Sequence, residues 1–286
     1  MSVPSFSDLG KSARNVFRTG YHYGKSLVKL TCTKAGEPLN MNSDLSLDCD
    51  TKKLSGTAGA EYKTQEYGTF LEKWTLDGTI IVGYILNRTP LADVGLRSEI
   101  SYNPSTTAKA IKIGATCVKE NINAICSISS DMNSNVNILG SIVTAIKGLI
   151  IGYQGGYSTE ANRMTTNDIG MAFNYGDTDF HFRCNSIPQE CGISVLYKVN
   201  EQWEAVVNGM MYKNGGNEDY TLGAAAKYII DEKSTFRFKL NTDLQLGFSL
   251  QQQLADQITA SLSFNVDCTN VQRGGHKVGL AIQIEG

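Results

Sequence analysis

The fold is decided near the end of the sequence, where residues 257–267 read QITASLSFNVD and residues 277–284 read KVGLAIQI. Apolar side chains occupy every second position, from Ile258 to Val266 and again from Val278 to Ile284. A period of two places alternate side chains on opposite faces of a β-strand. Each segment therefore predicts a strand with one apolar and one polar face, and such a strand needs partners along its edges.

The same alternation continues through most of the chain. From residue 27 onward, apolar rows of about 8–11 residues are separated by short turns such as Asp77-Gly78 and Gly176-Asp177. Allowing about 14 residues for each strand and its turn predicts roughly 18–20 strands. The 286 residues include 28 Gly and only 5 Pro, which fits many strands and tight turns. We predict one all-β domain of consecutive antiparallel hairpins.

The first twenty residues follow a different pattern. Ser5-Phe6-Ser7-Asp8 predicts a capping-box start to a helix of about 13 residues. One helix face is apolar and another is basic, with Leu9, Ala13, Val16 and Phe17 on the first and Lys11, Arg14 and Arg18 on the second. Residues 20–24 then break the helix. The pattern leaves open whether this helix docks on a core, lies against a membrane or sits inside a pore.

The strand pattern favours a closed barrel in a membrane over a soluble sandwich. The polar faces carry mostly Gly, Ser, Thr, Asn and Gln, which suits a water-filled interior, and a tilted strand crosses a bilayer in about 9–11 residues. Aromatic girdles are typical of membrane barrels. The candidates near strand ends are Tyr62, Tyr102, Tyr175, Tyr197 and Tyr228.

Composition argues against several other classes of protein. The formal net charge of -2 gives no support for a nucleic-acid partner. Seven cysteines without a CxxC pair predict reduced thiols, and three isolated histidines predict no metal site. The sequence shows no secretory signal, and its longest apolar run, residues 138–153, is too short for a membrane-spanning helix. No nucleophile motif indicates an enzyme.

Motifs at both ends of the chain resemble those of the mitochondrial porins, the voltage-dependent anion channels. The specific motifs are Pro4–Phe17 and Gly274–Leu280, and weaker matches are Glu66-Tyr67-Gly68, Glu72-Lys73-Trp74, Gly152-Tyr153-Gln154 and Ala224–Tyr228. The resemblance implies an all-β transmembrane barrel of about 19 strands over residues 26–286. It also implies parallel first and last strands, with the amphipathic helix and linker of residues 1–25 inside the lumen.

The resemblance implies a voltage-gated diffusion pore in the mitochondrial outer membrane, passing ions, ATP, ADP and phosphate without a resident cofactor. Its partners would be membrane lipids and metabolite anions, with lumen contacts to ATP or NAD(H), and a homo-oligomer is left open. Parity places seven basic residues inward and suggests that the acidic residues lie more in turns, which predicts a weak anion preference. The seven are Lys11, Arg14, Arg183, Lys198, Arg237, Lys239 and Lys277.

Residue by residue, the resemblance carries over a set of lumen positions. Lys11, Arg14 and Arg18 match helix positions that face anions and nucleotides, although a further family lysine falls on Thr19. A second nucleotide-contact region comprises Gln245, Leu246, Gly247, Ser263, Phe264, Asn265, Val266 and Asp267. The gating hinge would comprise Gly20, His22 and Gly24, and His22 replaces a family glycine, which should stiffen it.

Glu72 matches a family glutamate that faces lipid, and it shares its parity with Phe70 and Trp74. A one-residue bulge would instead turn Glu72 inward. The last strand resembles the sorting signal of mitochondrial outer-membrane barrels, although it also suits a simple final strand. The signal residues are Lys277, Gly279, Ile282 and Ile284.

The alternative function is a specialised paralogue with cation-leaning selectivity. Such a protein would act mainly as a docking scaffold for hexokinase-like enzymes or apoptosis regulators. The departures from the family pattern at Thr19 and His22 fit this alternative.

Overall fold

The computed structural model is a closed β-barrel of 19 strands with a short helical segment at its N-terminus. The structure describes residues 3–33, 37–64, 66–86, 94–132, 135–214, 217–269, 272 and 274–286. A 3-10 turn covers Phe6–Asp8, and helix α1 covers Lys11–Arg18. Both the barrel and its strand number agree with the prediction.

The strands follow one another around the barrel in chain order. They are β1 Lys25–Thr33, β2 Leu39–Asp48, β3 Leu54–Thr64, β4 Gly68–Thr75, β5 Ile80–Leu86, β6 Val94–Tyr102, β7 Lys109–Val118, β8 Ile122–Ser130, β9 Val136–Ile146, β10 Leu149–Ser158, β11 Arg163–Tyr175, β12 Thr178–Asn185, β13 Glu190–Lys198, β14 Trp203–Asn214, β15 Asn217–Asp231, β16 Ser234–Asn241, β17 Gln245–Ala255, β18 Ile258–Asp267 and β19 Lys277–Glu285. The apolar run at residues 138–153 is thus two strands and their turn.

The barrel closes through a parallel pair. β1 and β19 lie side by side, with Ser26 opposite Leu280 and Thr31 opposite Glu285. Every other neighbouring pair is antiparallel, as in β17–β18 and β18–β19. In an up-and-down array with an odd number of strands, the first and last run in the same direction. The parallel seam therefore follows from the strand number.

Large apolar side chains cover the outer surface of the barrel. In β18, Leu262 and Phe264 are exposed while Ser261 and Ser263 between them are buried. The same exposed apolar parity recurs from β1, with Val28 and Leu30, to β19. Such a continuous apolar surface is unusual for a soluble protein and is expected of a barrel that faces lipid.

Among the residues described, no helix is long and apolar enough to cross a bilayer.

The N-terminal segment departs from the predicted continuous helix. Gly10 has φ +67°, which separates the 3-10 turn from α1 and limits the helix to 8 residues. The Ser5 side chain does not cap the helix and instead donates to Asp8 Oδ2 at 2.7 Å. A side chain at Gly10 would run into the His181 ring of β12. Packing on the barrel therefore overrides the helical pattern at this position.

The N-terminal segment packs on the inner wall through two apolar clusters. Ala13 and Val16 contact Leu196, Val206 and Ala225. The earlier cluster comprises Val3, Phe6, Leu9 and Val143. The wall partners occupy inward positions that the alternation predicts to be polar. The polar lining is therefore interrupted by apolar residues where these two clusters pack on the wall.

One expectation about the cysteines is wrong. Cys184 and Cys191 form a disulfide bond, with their Cα atoms 4.0 Å apart. They are directly opposite each other on β12 and β13. A spacing of seven residues does not reveal this register without the position of the intervening turn. The free cysteines are Cys32, Cys49, Cys117, Cys126 and Cys268.

The parallel seam predicts a specific cross-link. In a variant whose five free cysteines are replaced by serine, Val28→Cys with Ile282→Cys should form a disulfide under mild oxidation. These two residues are register partners on β1 and β19, and adjacent Cα atoms fall within disulfide range. Mass spectrometry of the digested protein measures the linked peptide. The control pair, Val28→Cys with Leu262→Cys on β18, should stay reduced, and equal cross-linking of both pairs would contradict the seam.

Candidate functional site: the lumen and its N-terminal segment

The lumen is lined by the side chains opposite to the apolar outer face. Ser249 and Ser263 mark this inner face on β17 and β18, because both bond to the N-terminal segment. On the wall away from that segment, the inward side chains of Lys73 and Lys112 are exposed. Barrels of 16–18 strands already enclose an aqueous channel. The segment therefore lines one side of a lumen that stays open along the other.

Residues 20–24, the linker, are bonded to the barrel wall at each end and in the middle. Ser249 Oγ donates to the Gly20 carbonyl at 2.7 Å, and the His22 N–H donates to Ser263 Oγ at 3.0 Å. The Gly24 N–H donates to the Val278 carbonyl at 3.0 Å. Gly20 and Gly24 have φ +85° and +67°, which favour glycine. The predicted hinge residues therefore lie in a linker that is hydrogen-bonded to the wall, and their role in gating stays a prediction.

Glycines of the wall make room for the linker and helix. A side chain at Gly247 would meet the Tyr23 hydroxyl, and one at Gly279 would meet the His22 carbonyl. At Gly152, a Cβ would lie 2.8 Å from Phe6 Cδ2. Gly247 and Gly279, which the sequence assigned to nucleotide contact and to sorting, thus share a structural role as landing sites for the linker.

Burial changes the protonation behaviour of the linker. It raises the pKa of the Tyr21 and Tyr23 hydroxyls and lowers the pKa of His22, to which the charge of Lys25 adds. Because each shift favours the neutral form, the three side chains remain uncharged near neutral pH. The linker therefore adds no charge of its own to the lumen.

The predicted nucleotide-contact region divides between the two faces of the barrel. Gln245, Gly247, Ser263, Asn265 and Asp267 face inward, and Asn265 Nδ2 donates to Gln245 Oε1 at 2.8 Å. The remaining residues of this region alternate with them and face outward, namely Leu246, Phe264 and Val266. Phe264 is 42% exposed on that outer surface. These three side chains therefore cannot contact a solute in the lumen.

Two inward residues of that region, Gln245 and Asn265, line a cavity of about 200 Å³ at the end of α1, which we call the lumen cavity. Phe17 contributes an aromatic ring and Lys239 an ammonium group. The other polar lining residues are Asn208, Thr221, Asn241, Gln245 and Asn265. Sequence reasoning missed Asn208, Thr221 and Asn241, although all three occupy the inward parity of their strands.

The basic residues of the helix differ in their contacts. Lys11 pairs with Asp8 at 3.1 Å, yet its side chain is 63% exposed. Hydrogen bonds from Ser5 and Lys11 lower the pKa of Asp8 and keep it ionised. Arg14 donates to the Ser7 carbonyl, and Arg18 is exposed at the end of α1. Lys11 and Arg18 are therefore the helix cations most accessible to solutes.

Several wall cations are engaged with protein groups. Arg183 pairs with Asp168 at 3.5 Å, and Lys277 pairs with Asp50. Arg237 is only 8% exposed and donates to Gln251 Oε1 at 2.9 Å. Lys198 faces the lumen with the parity of Leu196 and is exposed. Parity thus placed these cations on the correct face of the barrel. It did not show which of them form ion pairs or hydrogen bonds with other protein groups.

Acidic residues lie within strands as well as in turns. Inward positions within strands carry carboxylates, among them Asp44, Glu61, Glu99, Asp168 and Glu204. Glu204 pairs with Lys227 at 3.3 Å, and Arg97 pairs with Glu99. The lumen therefore carries charges of both signs.

Glu72 lies on the outer face of β4. Its neighbours Phe70 and Trp74 are 50% and 53% exposed, and Trp74 Nε1 donates to Glu72 Oε1 at 2.7 Å. Its register partner on β5, Val82, is also exposed on the outside. The register leaves no bulge that would turn Glu72 into the lumen.

The last strand divides its predicted sorting residues between two faces. Lys277 and Gly279 point inward, toward Asp50 and the linker. Ile282 and Ile284 have the outward parity of Leu280. This placement gives each residue a structural role, and sorting stays a prediction.

The apolar exterior, exposed polar lumen and closed backbone together define a transmembrane β-barrel pore. The chain belongs to the eukaryotic porin family, whose sequence profile matches residues 2–279. It is 34% identical over 284 residues to the non-selective voltage-gated ion channel VDAC1 of Ovis aries and of Homo sapiens, covering 99% of this chain and 98% of each relative. It is 32% identical to the non-selective voltage-gated ion channel VDAC2 of Xenopus laevis, covering 99% of both chains.

Membership of this family confirms the resemblance seen in the sequence. It also confirms the prediction that the chain is a channel rather than an enzyme, because the named relatives are ion channels.

The contact of the linker with wall glycines predicts that Gly→Ala substitutions destabilise the barrel at those glycines and not at an outward glycine. Gly279→Ala should lower the free energy of unfolding by about 1–3 kcal/mol, because the methyl group overlaps the His22 carbonyl. Urea titration of the folded barrel measures this value. The control is Gly140→Ala, where a Cβ meets open space on the outer face. Equal stability of the two variants would show that the linker does not occupy this site.

The lipid-facing position of Glu72 predicts a gain in stability when its charge is removed. Glu72→Gln should raise the free energy of unfolding in lipid bilayers by about 1 kcal/mol, because a carboxylate is costly on the apolar face. Glu61→Gln, on the lumen face of neighbouring β3, is the control and should show no gain. A gain of the same size in both variants would argue against the outward orientation.

Proposed function

We propose that this porin is a voltage-gated diffusion pore of the mitochondrial outer membrane that passes ions and small metabolites with a weak preference for anions. One observation carries the proposal: inward side chains on the wall away from the N-terminal segment, such as Lys73 and Lys112, are exposed inside a closed barrel. The names of the VDAC1 and VDAC2 relatives support voltage gating, and the family supports the mitochondrial location.

The mixed charges of the lumen support weak selectivity. At physiological ionic strength, charges are screened over about 8 Å. In a wide lumen, fixed charges therefore bias the local ion concentration without excluding either sign. Strand carboxylates such as Asp168 and Glu204 offset wall cations through ion pairs. The exposed Lys11 and Arg18 on the helix remain as the groups that favour anions.

The lumen cavity supports transient contact with nucleotides such as ATP, ADP or NAD(H). Lys239 offers a cation for phosphate, Phe17 a ring for stacking, and Asn208, Asn241 and Gln245 offer amide groups. Its volume of about 200 Å³ is below the roughly 300–1,000 Å³ of ordinary ligand pockets. The cavity thus accommodates only part of a nucleotide, which suits a solute in passage.

A planar bilayer holding the purified protein in a salt gradient tests the proposal. Wild-type protein should give voltage-dependent steps and a reversal potential of weakly anion-selective sign. Lys11→Glu should lower the anion-to-cation permeability ratio by about twofold, because the exposed Lys11 side chain faces the lumen. The matched control is Lys213→Glu, an outer-face charge near a strand end. A cation-selective wild-type pore, or equal effects of the two variants, would contradict the proposal.

The same recording separates the pore from the docking scaffold. A folded barrel without voltage-dependent steps would favour a scaffold for hexokinase-like enzymes or apoptosis regulators. Steps in the pure protein would show that no such partner is needed for conduction.

A further inference from the structure

Lys239 of β16 contacts both the linker and the helix. Its Nζ lies 4.1 Å from the ring centroid of Tyr21 and 5.0 Å from that of Tyr23. The same ammonium donates to the Phe17 carbonyl at 3.0 Å. We call Lys239, Tyr21, Tyr23 and Phe17 the linker clasp. One cation of the wall thus contacts both the end of α1 and the linker that follows it.

Arg183 of β12 makes a comparable contact near the start of the N-terminal segment. Its Cζ lies 5.1 Å from the ring centroid of Phe6, and its Nε donates to Asn185 Oδ1 at 2.6 Å. Asp168, its ion-pair partner, is buried and accepts the Ser186 N–H at 2.9 Å. The guanidinium is therefore held rigidly where Phe6 packs beneath it.

The chemistry of both contacts suits a holding role. Cations attract the faces of aromatic rings, and the attraction grows as water is removed from the contact. The Tyr21 and Tyr23 side chains around Lys239 are partly buried. The last carbonyls of a helix lack intrahelical partners and attract positive charge. The Lys239 ammonium contacts both the tyrosine rings and a carbonyl at the end of the helix.

The N-terminal segment depends on such external contacts. α1 has only 8 residues, and isolated helices of that length are unstable in water. The apolar clusters bury one face of the segment, yet nonpolar packing is not directional. Two cations at fixed places on the wall define where along the wall each end must lie.

We propose that Arg183 and Lys239 are positioning residues that fix the N-terminal segment against the barrel wall and so set the width of the open lumen. The charge of Arg183 acts on Phe6, and that of Lys239 acts on Tyr21 and Tyr23 in addition to lining the lumen cavity. The exposed Lys11 retains the role in ion selectivity. The conductance test below rests on the proposed pore function, and the cleavage test does not.

The first test is tryptic cleavage of the full-length, folded barrel. In Lys239→Met, cleavage at Lys11, Arg14 and Arg18 should be at least about fivefold faster than in wild type, because the segment leaves the wall more often. Arg183→Met should accelerate cleavage as well. Lys112→Met is the matched control, since it removes an exposed ammonium from the lumen wall opposite the segment. It should leave the rate unchanged.

Conservative variants separate position from net charge. Lys239→Arg should restore slow cleavage, because a guanidinium also binds aromatic faces. Tyr21→Phe with Tyr23→Phe should resemble wild type, since the rings remain and neither hydroxyl has a hydrogen-bond partner among the described residues. Tyr21→Leu with Tyr23→Leu should cleave as fast as Lys239→Met. This pair tests the clasp from the linker side if Lys239→Met fails to fold.

The second test is single-channel recording at low voltage. Lys239→Met should spend at most about half as much time in the fully open step as wild type, and Lys239→Arg should recover it. Wild-type cleavage and open-step occupancy in both Lys239→Met and the Leu pair would overturn the proposal. Equal effects of Lys112→Met would overturn it too, because net charge would then suffice. A wild-type protein that does not conduct would contradict the pore function while leaving the cleavage result decisive.

Discussion

The structure depends on the need to pair every backbone amide and carbonyl group that faces lipid. No water is available there, so a sheet inside a bilayer must close on itself. Closure of 19 strands in up-and-down order brings β1 beside β19 in parallel. The alternation of apolar and polar side chains then follows from the two solvents that the closed wall separates.

The N-terminal segment modifies this simple division of the wall. Where it packs, inward positions become apolar, as at Val143, Leu196 and Val206. Elsewhere they become glycine, as at Gly247 and Gly279, where a side chain would overlap the linker. The apolar and glycine residues at these inward positions therefore mark where the segment lies on the wall. A lumen that appears uniformly polar by parity is divided into a covered side and an open side.

Features set by local periodicity could be predicted from the sequence, and features set by register could not. Alternation gave the barrel, its strand number to within one and the outward face of Phe70 and Trp74. The apolar runs at residues 195–197 and 205–207 include the inward residues Leu196 and Val206, on which the helix packs. By contrast, the break at Gly10 lies against His181, which is far from it in the sequence, and the Cys184–Cys191 bond depends on the position of one turn. The contact of Lys239 with Tyr21 joins residues that no sequence spacing relates.

The seam between β1 and β19 constrains how the protein is made. It pairs the earliest strand with the last one, so the barrel cannot be completed until synthesis has delivered residues 277–285. Until then the growing sheet keeps two unpaired edges, which are prone to aggregation. Pairings of such long sequence separation also form slowly. Pairing of β1 with β19 is therefore a late step of folding, and the barrel has no closed, edge-free intermediate before it.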